Sequence, residues 1–520
     1  MSSPPNRLAR AQHESGLLNA LQRGIEKEGL RVDLQGRLAR TPHPPALGSA
    51  LTNPRITTDY SEALLELITG THPSVESLLQ ELEETHRFVA RNLDGELIWN
   101  QSMPAELPPE EEIPIGWYGT SNSGMLKHVY RRGLAYRYGK NMQCIAGLHY
   151  NFSVPDPIWD HIGIEGISLE HQRTKGYLAL IRNFTRYSWL LMYLFGASPA
   201  VSRAFLGDRP HSLHDFDAET LYLPWATSLR MSDLGYQNKA QSDLELCYND
   251  LETFLQRMYT AVTTPWPAYE RIGTHRNGEW IQLNTNILQI ENEYYSAIRP
   301  KRSTNRGERP ATALAERGVE YIEVRCLDID PWSPVGIRAE SCRFIDAFLL
   351  YCAAEPSPFF PANGDCPISK NNFATVVREG RKPGLLLRRG ENEISLRDWG
   401  EEIIECIRPY AELLDQAAGH QRHVAALELQ LKKIRNTELT PSARVLHAMR
   451  ERQATLHNFT LQLSREHHET LVQGPLEPEL EQRYKDEAAA SIREQHEIEA
   501  ADTEPFDEYV ARFHAALRAP

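Results

Sequence analysis

The sequence predicts an α+β protein: a β-sheet with one polar face, followed by a helical C-terminal region. Three observations predict it. Gly24-Ile-Glu-Lys-Glu-Gly-Leu-Arg31 is strand-like and carries two carboxylates two residues apart. Gln143 to Val154 and Val319 to Leu327 alternate polar and apolar residues with the period of a half-buried strand. From about residue 397 onward the chain is charged, polar and helical in pattern. The expected division is a sheet-bearing unit over 1–396 and a helical region over 397–520 packed on it.

Composition bounds the function. A chain of 520 residues, 41% hydrophobic and 9% aromatic, can bury a large core. A net charge of −14 argues against a general nucleic-acid binder, so no nucleic-acid partner is expected. Met1-Ser-Ser-Pro-Pro-Asn-Arg7 lacks the apolar core of a signal peptide, and no run approaches the ~18 apolar residues of a membrane span. The expectation is a cytoplasmic protein without membrane contact. Seven cysteines (144, 247, 326, 342, 352, 366 and 406) are scattered without a CxxC pair, which favours free thiols over disulfides or a zinc site.

In chain order, residues 15–32 run from a helical turn into the Glu26/Glu28 strand. On a strand, residues i and i+2 share a face, so Glu26 and Glu28 stand side by side with Lys27 behind them. A solvated edge strand would carry the same charge pattern. Gln35-Gly36 is a turn, and Ala63 to Thr69 reads as a strand ended by Thr-Gly-Thr-His-Pro, with a helix over 56–69 as the alternative; either brings Asp59 and Glu66 near one another. Residues 74–94 form an amphipathic helix. Residues 101–114 read as an acidic surface loop. Trp117 to Gly124 is a loop entering a helix that carries Tyr130 and Arg131.

Gln143 to Val154 is expected to be one strand, with His149, Asn151 and Ser153 on one face. Residues 168–206 read as helical. Thr227 to Tyr236 is a polar loop whose Arg230 suits a carboxylate. Trp280–Leu288, Glu291–Tyr295 and Ile298–Arg302 read as further strands. Val319 to Leu327 places Tyr321, Glu323 and Arg325 on one face and Ile322, Val324 and Cys326 on the other. Residues 340–355 are an apolar helix, and Glu379 to Gly384 a basic turn. The C-terminal segments 425–435, 441–470, 478–500 and 506–517 read as helices with a supporting role.

Glu26, Glu28, Glu66 and Glu323, with Asp59 and His149, put more acid on one sheet face than a sheet ordinarily tolerates. Oxygen-rich clusters of this kind suit two or three Mg²⁺ or Mn²⁺ ions better than zinc. Hard cations beside arginines suit phosphoryl transfer from ATP. There is no Walker-A sequence, kinase signature set or G-x-S-x-G elbow.

Several stretches closely resemble the proteobacterial type of glutamate–cysteine ligase: Gly24-Ile-Glu-Lys-Glu, Ile56-Thr-Thr-Asp-Tyr-Ser-Glu-Ala-Leu-Leu-Glu, Tyr118-Gly-Thr-Ser-Asn, Gly147-Leu-His-Tyr-Asn-Phe-Ser, Phe195-Gly-Ala-Ser-Pro-Ala, Ser228-Leu-Arg-Met-Ser-Asp-Leu-Gly-Tyr and Tyr321-Ile-Glu-Val-Arg. The resemblance implies a glutamine-synthetase-like fold, in which a curved antiparallel sheet forms a funnel surrounded by helices, with 1–396 as the catalytic domain. It implies ATP-dependent joining of L-cysteine to the γ-carboxylate of L-glutamate through γ-glutamyl phosphate, the first step of glutathione synthesis. It further implies glutathione as a feedback inhibitor; a monomer is expected.

By matching position, the resemblance assigns Glu26, Glu28, Asp59, Glu66, His149 and Glu323 as metal ligands. Arg230 would hold the glutamate α-carboxylate, and Arg325 would contact the phosphoryl group in transit. Tyr130, Arg131, Leu134, Gln143, Ile145, Tyr236 and Tyr295 would line the cysteine side. Two other readings stay open: a sister carboxylate–amine ligase with another acceptor, and a non-catalytic ATP or amino-acid sensor on the same fold.

Overall fold

The computed structural model describes residues 8, 15–235, 239–242, 244, 246, 248–305, 307–360 and 367–518. Seven strands form its main sheet: β1 (Gln22–Asp33), β2 (Ile56–Thr58), β3 (Leu64–Ile68), β4 (Glu96–Ile98), β5 (Leu148–Ser153), β6 (Ile298–Lys301) and β7 (Tyr321–Leu327). The order is β6-β7-β5-β1-β3-β2, with β4 paired to the far end of β1, and every pairing is antiparallel. The long β1 lies at the centre, bonded to β5 and, further along, β4 on one edge and to β3 on the other.

Alternation decides which residues face where. Ile25, Leu148, Tyr150, Phe152, Ile322, Val324 and Cys326 are buried in one apolar cluster behind the sheet. Helices α1 (Val75–Arg91), α2 (Asn122–Tyr138), α3 (Leu169–Phe195) and α4 (Ala339–Ala354) precede the helical C-terminal part. There, α5 (Leu396–Ala418) and α6 (Arg422–Arg435) pack on α4, and their Ile403, Ile407, Leu427 and Ile434 join the same cluster as the sheet. Each such large apolar side chain contributes about 1.5–3 kcal/mol on burial. Serine caps fix the helix starts: Ser74 accepts from the Ser77 amide, Ser121 from Gly124 and Ser168 from His171.

Several expectations require correction. The strand predicted from Gln143 begins only at Leu148, because Met142–Cys144 is a single 3-10 turn. The helix predicted over 168–206 ends at Phe195; Ala200–Ser202 then pairs with Thr220–Tyr222 as a separate small strand. Of the second strand cluster, only Ile298–Lys301 joins the main sheet, and Trp280 ends a two-residue hairpin arm. The backbone between 281 and 289 is satisfied in part by amide side chains instead. Gln289 Oε1 accepts from the Leu283 amide, Asn284 Oδ1 accepts from the Asn286 amide, and Asn284 Nδ2 donates to the Gln289 carbonyl.

Glu291–Glu293 is a 3-10 turn whose carboxylates form buried pairs, Glu291 with Arg309 at 2.8 Å and Glu293 with Arg137 at 2.9 Å. Its alternating acids mimic a strand without being one. The segment read as a surface loop, 101–114, runs inside at its start: Gln101 to Ala105 are buried. Ser102 Oγ accepts from the Ile329 amide and the Ser102 carbonyl from the Ala146 amide, so this polar stretch is satisfied without water. The helix expected over 441–470 is two, Pro441–Glu451 and Leu456–Gln473. The five described cysteines are free thiols; Cys247 and Cys366 lie outside the described residues. Among the described residues no helix is long and apolar enough to cross a membrane.

Candidate active site

The acidic face arises from strand register. Across β1 and β5 Glu26 stands opposite His149, and across β1 and β3 Glu28 stands opposite Glu66. Across β7 and β5, Glu323 stands opposite Asn151. His149 is the hinge of two ligand groups, one with Glu26 and Glu323 and one with Glu28 and Glu66. Within each group the nearest donor atoms lie within 4.8 Å of one another. His149 Nδ1 is 3.1 Å from Glu26 Oε2, and its Nε2 is 3.6 Å from Glu28 Oε1. Asn151 Nδ2 donates to Glu26 Oε1 at 3.0 Å, and the Gly147 amide donates to Glu28 Oε2 at 2.5 Å.

Basic groups close the far side. Arg325 is 3.0 Å from Glu323 and 3.4 Å from His149 Nδ1, while Lys301 is 3.3 Å from Glu323. A register shift in β7 between Val324 and Leu327 sets Arg325 outside regular pairing with β5. Arg230 sits on a 3-10 turn, Leu229–Met231, and donates to the carbonyls of Leu327 and Arg325 at 3.2 and 3.0 Å. Gly147 permits this packing, because a Cβ there would strike the Arg230 guanidinium.

The electrostatics split the carboxylates. Burial pushes Glu28 up, and burial with the nearby Glu26 pushes Glu66 well above the usual carboxylate range. Burial opposes ionisation of Glu323 too, but Lys301 and Arg325 prevail and hold it well below that range. Burial and Glu323 raise Glu26, yet the hydrogen bond from His149 and the charge of Lys301 leave it lowered. Behind the face, as alternation requires, Lys27 is buried, and burial brings its ammonium down to about 7. A buried Glu28–Glu66 pair that resists ionisation, in an oxygen-rich set with one imidazole, fits a hard divalent cation.

The face opens into a cavity of about 460 Å³. Of the residues assigned from sequence, Glu28, Asp59, Tyr130, Arg131, Leu134, Gln143, His149, Arg230, Tyr295 and Arg325 line it. Glu26, Glu66 and Glu323 are brought to it through the two ligand groups. Arg131 rests 4.5 Å from the Tyr118 ring centre and donates to the Asp59 carbonyl, which ties helix α2 to the turn after β2. Ile145 is fully buried in an apolar cluster with Met103, Val201 and Leu229, and Met142 rather than Ile145 meets the cavity. Tyr236 lies outside the described residues.

Other lining residues were not assigned from sequence: Tyr138, Gln241, Asn292 and Glu293; Arg299, a basic residue that the sequence offers either to a triphosphate or to a loop, also lines it. Burial, then the neighbouring Arg325, bring Arg299 down to about 10. The Glu291–Tyr295 stretch could have signalled its place only through its turn, which the alternating acids concealed.

A family model described as glutamate-cysteine ligase matches residues 6–376, well over half of the chain. This chain belongs to the glutamate–cysteine ligase family. A relative named glutamate–cysteine ligase from Bordetella petrii is 63% identical over 516 residues, covering 99% of this chain and 98% of its own. A solved glutamate–cysteine ligase from Francisella tularensis, in complex with AMP, superposes with a TM-score of 0.90 at 38% identity over 95% of this chain and 98% of that one. A bifunctional glutathione synthetase from Pasteurella multocida superposes at 0.70 with 25% identity, over 90% of this chain and 54% of that one. The antiparallel sheet surrounded by helices is thus the fold of glutamate–cysteine ligases, as the sequence predicted.

Proposed function

We propose that this chain joins the amine of L-cysteine to the γ-carboxylate of L-glutamate, consuming ATP and releasing ADP and phosphate. The observation that carries the reading is the sheet face on which His149 links two carboxylate groups, with Arg325 and Arg230 at the same cavity. A carboxylate is a poor acyl donor. A γ-carboxylate oxygen therefore first attacks the terminal phosphorus of ATP, ADP departs, and γ-glutamyl phosphate results. The amine then attacks the acyl carbon, the C–O bond to phosphate breaks, and the amide nitrogen loses its proton.

Two or three Mg²⁺ or Mn²⁺ ions held by Glu26, Glu28, Glu66, His149, Glu323 and Asp59 would supply charge neutralisation at the phosphate oxygens. Arg325, anchored on Glu323, holds negative charge on the phosphoryl group as it transfers. Arg230 takes the α-carboxylate of glutamate, fixing which carboxylate reacts. Tyr130, Arg131 and Leu134 on α2, with Gln143 and Tyr295, form the cysteine side. A cavity of about 200 Å³ beside Lys301, lined by Tyr248, Phe254, Tyr294 and Tyr321, fits the purine of ATP. Residues 1–396 form the catalytic unit in this reading, and 397–520 support it.

The test is phosphate release from ATP with Mg²⁺ and L-glutamate across a panel of amines. Fastest release with L-cysteine, yielding γ-glutamylcysteine, is the expected result. Faster release with another amine would make the protein a sister ligase, and no turnover with any amine would refute the catalytic reading.

A further inference from the structure

A second cavity, of about 290 Å³, lies where the ends of α3 and β7 meet α6. It is separate from the site above, and Asp328 on its lining lies 3.7 Å from Arg230 on the other. Gln430 on α6 is fully buried in that lining, and neither its Nε2 nor its Oε1 has a hydrogen-bond partner. Buried carboxamides are rarely left unmatched, and this one offers a donor and an acceptor side by side.

The charged groups around it have both signs. Lys433 donates to the Leu194 carbonyl at 3.0 Å and sits 5.0 Å from the Phe195 ring centre. The Arg444 guanidinium lies 4.0 Å over the Trp332 ring and makes no side-chain hydrogen bond among the described residues. Glu340, on the same lining, has neither an ion pair nor a side-chain hydrogen bond among them. Spare cationic donors, a spare carboxylate and an orphaned amide match a ligand carrying one carboxylate and one ammonium. The ligand carboxylate suits Gln430 Nε2, Lys433 and Arg444; its ammonium suits Gln430 Oε1 and Glu340.

We propose that this cavity is a second ligand site, taking a small zwitterionic amino acid or dipeptide, and that Asp328 couples it to Arg230. Asp328 lines the cavity. Its Oδ2 accepts from the Ala197 amide at 2.8 Å and Ser198 Oγ at 2.6 Å. Its Oδ1 accepts from Ser228 Oγ at 3.0 Å and lies 3.7 Å from Arg230. One carboxylate thereby forms the cavity wall and holds the turn that carries Arg230. The coupling rests on the glutamate role proposed for Arg230, whereas the site itself does not.

The test is calorimetric titration of the full chain with L-alanine and with glycylglycine, under saturating L-glutamate. Wild type, Gln430→Leu, Lys433→Met and the active-site variant Glu323→Gln are compared. At least one probe is expected to bind wild type and Glu323→Gln alike, and about tenfold or more weakly in the two cavity variants. Gln430→Leu replaces an orphaned amide with an apolar group of similar size, so its thermal midpoint without probe should equal or exceed that of wild type. Bound probe is expected to change the glutamate KM at least about twofold in wild type and not in Gln430→Leu. No binding at millimolar probe, or equal binding in the cavity variants, would overturn the site. Binding that leaves the glutamate KM unchanged would overturn the coupling.

Discussion

Glu28 and Glu66 stand directly opposite each other across β1 and β3, both within reach of His149. Two opposed carboxylates destabilise a sheet unless a proton or a cation lies between them. Glu66→Gln is expected to keep or raise the unfolding free energy in chelator, by up to about 1–2 kcal/mol, while turnover with Mg²⁺ collapses. A variant both less stable in chelator and fully active would show that the pair is structural.

Glu323→Gln removes a group held by Lys301 and Arg325 and shared with the His149 cluster. Turnover should fall by roughly two to three orders of magnitude, as when a preorganised charge is lost, with circular dichroism unchanged. Near-normal activity would count heavily against the metal assignment.

Gly147 leaves room for Arg230, since an added Cβ meets its guanidinium. Gly147→Ala should displace Arg230 and raise the KM for glutamate about tenfold or more, because small misplacements at a carboxylate clamp are costly. The KM for ATP should stay nearly constant. An equal rise for both substrates would point to general collapse of the site.

The C-terminal segment reaches the start of α2, which carries the proposed cysteine side. Asp502 accepts from Asn122 Nδ2 at 2.8 Å and also from the Asn122 amide, placing an anion at that helix's N-terminus. Asp502→Ala should cost about 1 kcal/mol and raise the cysteine KM severalfold, since Tyr130 and Arg131 ride on α2. Steady-state kinetics with cysteine varied would decide it.

Asp415 is a pH-dependent clasp between α5 and α6. Its Oδ1 accepts from His420 and His423 Nδ1 at 2.9 and 2.8 Å, and its Oδ2 from the Val424 amide at 2.9 Å. Burial opposes ionisation, but the hydrogen bonds from His423 and Val424 hold the carboxyl down at about 2, against 3.8 ordinarily. A carboxyl lowered by folding stabilises the fold above its unfolded value, and that stabilisation disappears as pH falls from about 4 through about 2. Asp415→Asn should lose about 1–3 kcal/mol at neutral pH, and its gap to wild type in urea unfolding should close over that acid range.

Strand alternation and the acid pattern were legible locally. Glu26 and Glu28 share a face because they are two residues apart, and the same rule placed His149, Glu323 and Arg325. Segments with long-range partners were not legible. The 280–295 region reads as strands because its residues alternate, yet Arg137 on α2 and Arg309, just before a short helix, capture Glu293 and Glu291 and turn it into a loop. Met142 to Cys144 likewise leaves the strand pattern for a tight turn that delivers Gln143 to the cavity.

By itself, the sequence determined the α+β class, the acidic sheet face and the family motifs, since each depends on side-chain order along a few consecutive residues. Only the tertiary structure decided that Glu28 faces Glu66, that His149 joins two carboxylate groups, that Ile145 gives way to Met142 at the cavity, and that Gln430 is orphaned beside Asp328. Register between strands distant in sequence, and the burial of a polar group among segments far apart in the chain, are properties of packing, which no local pattern encodes.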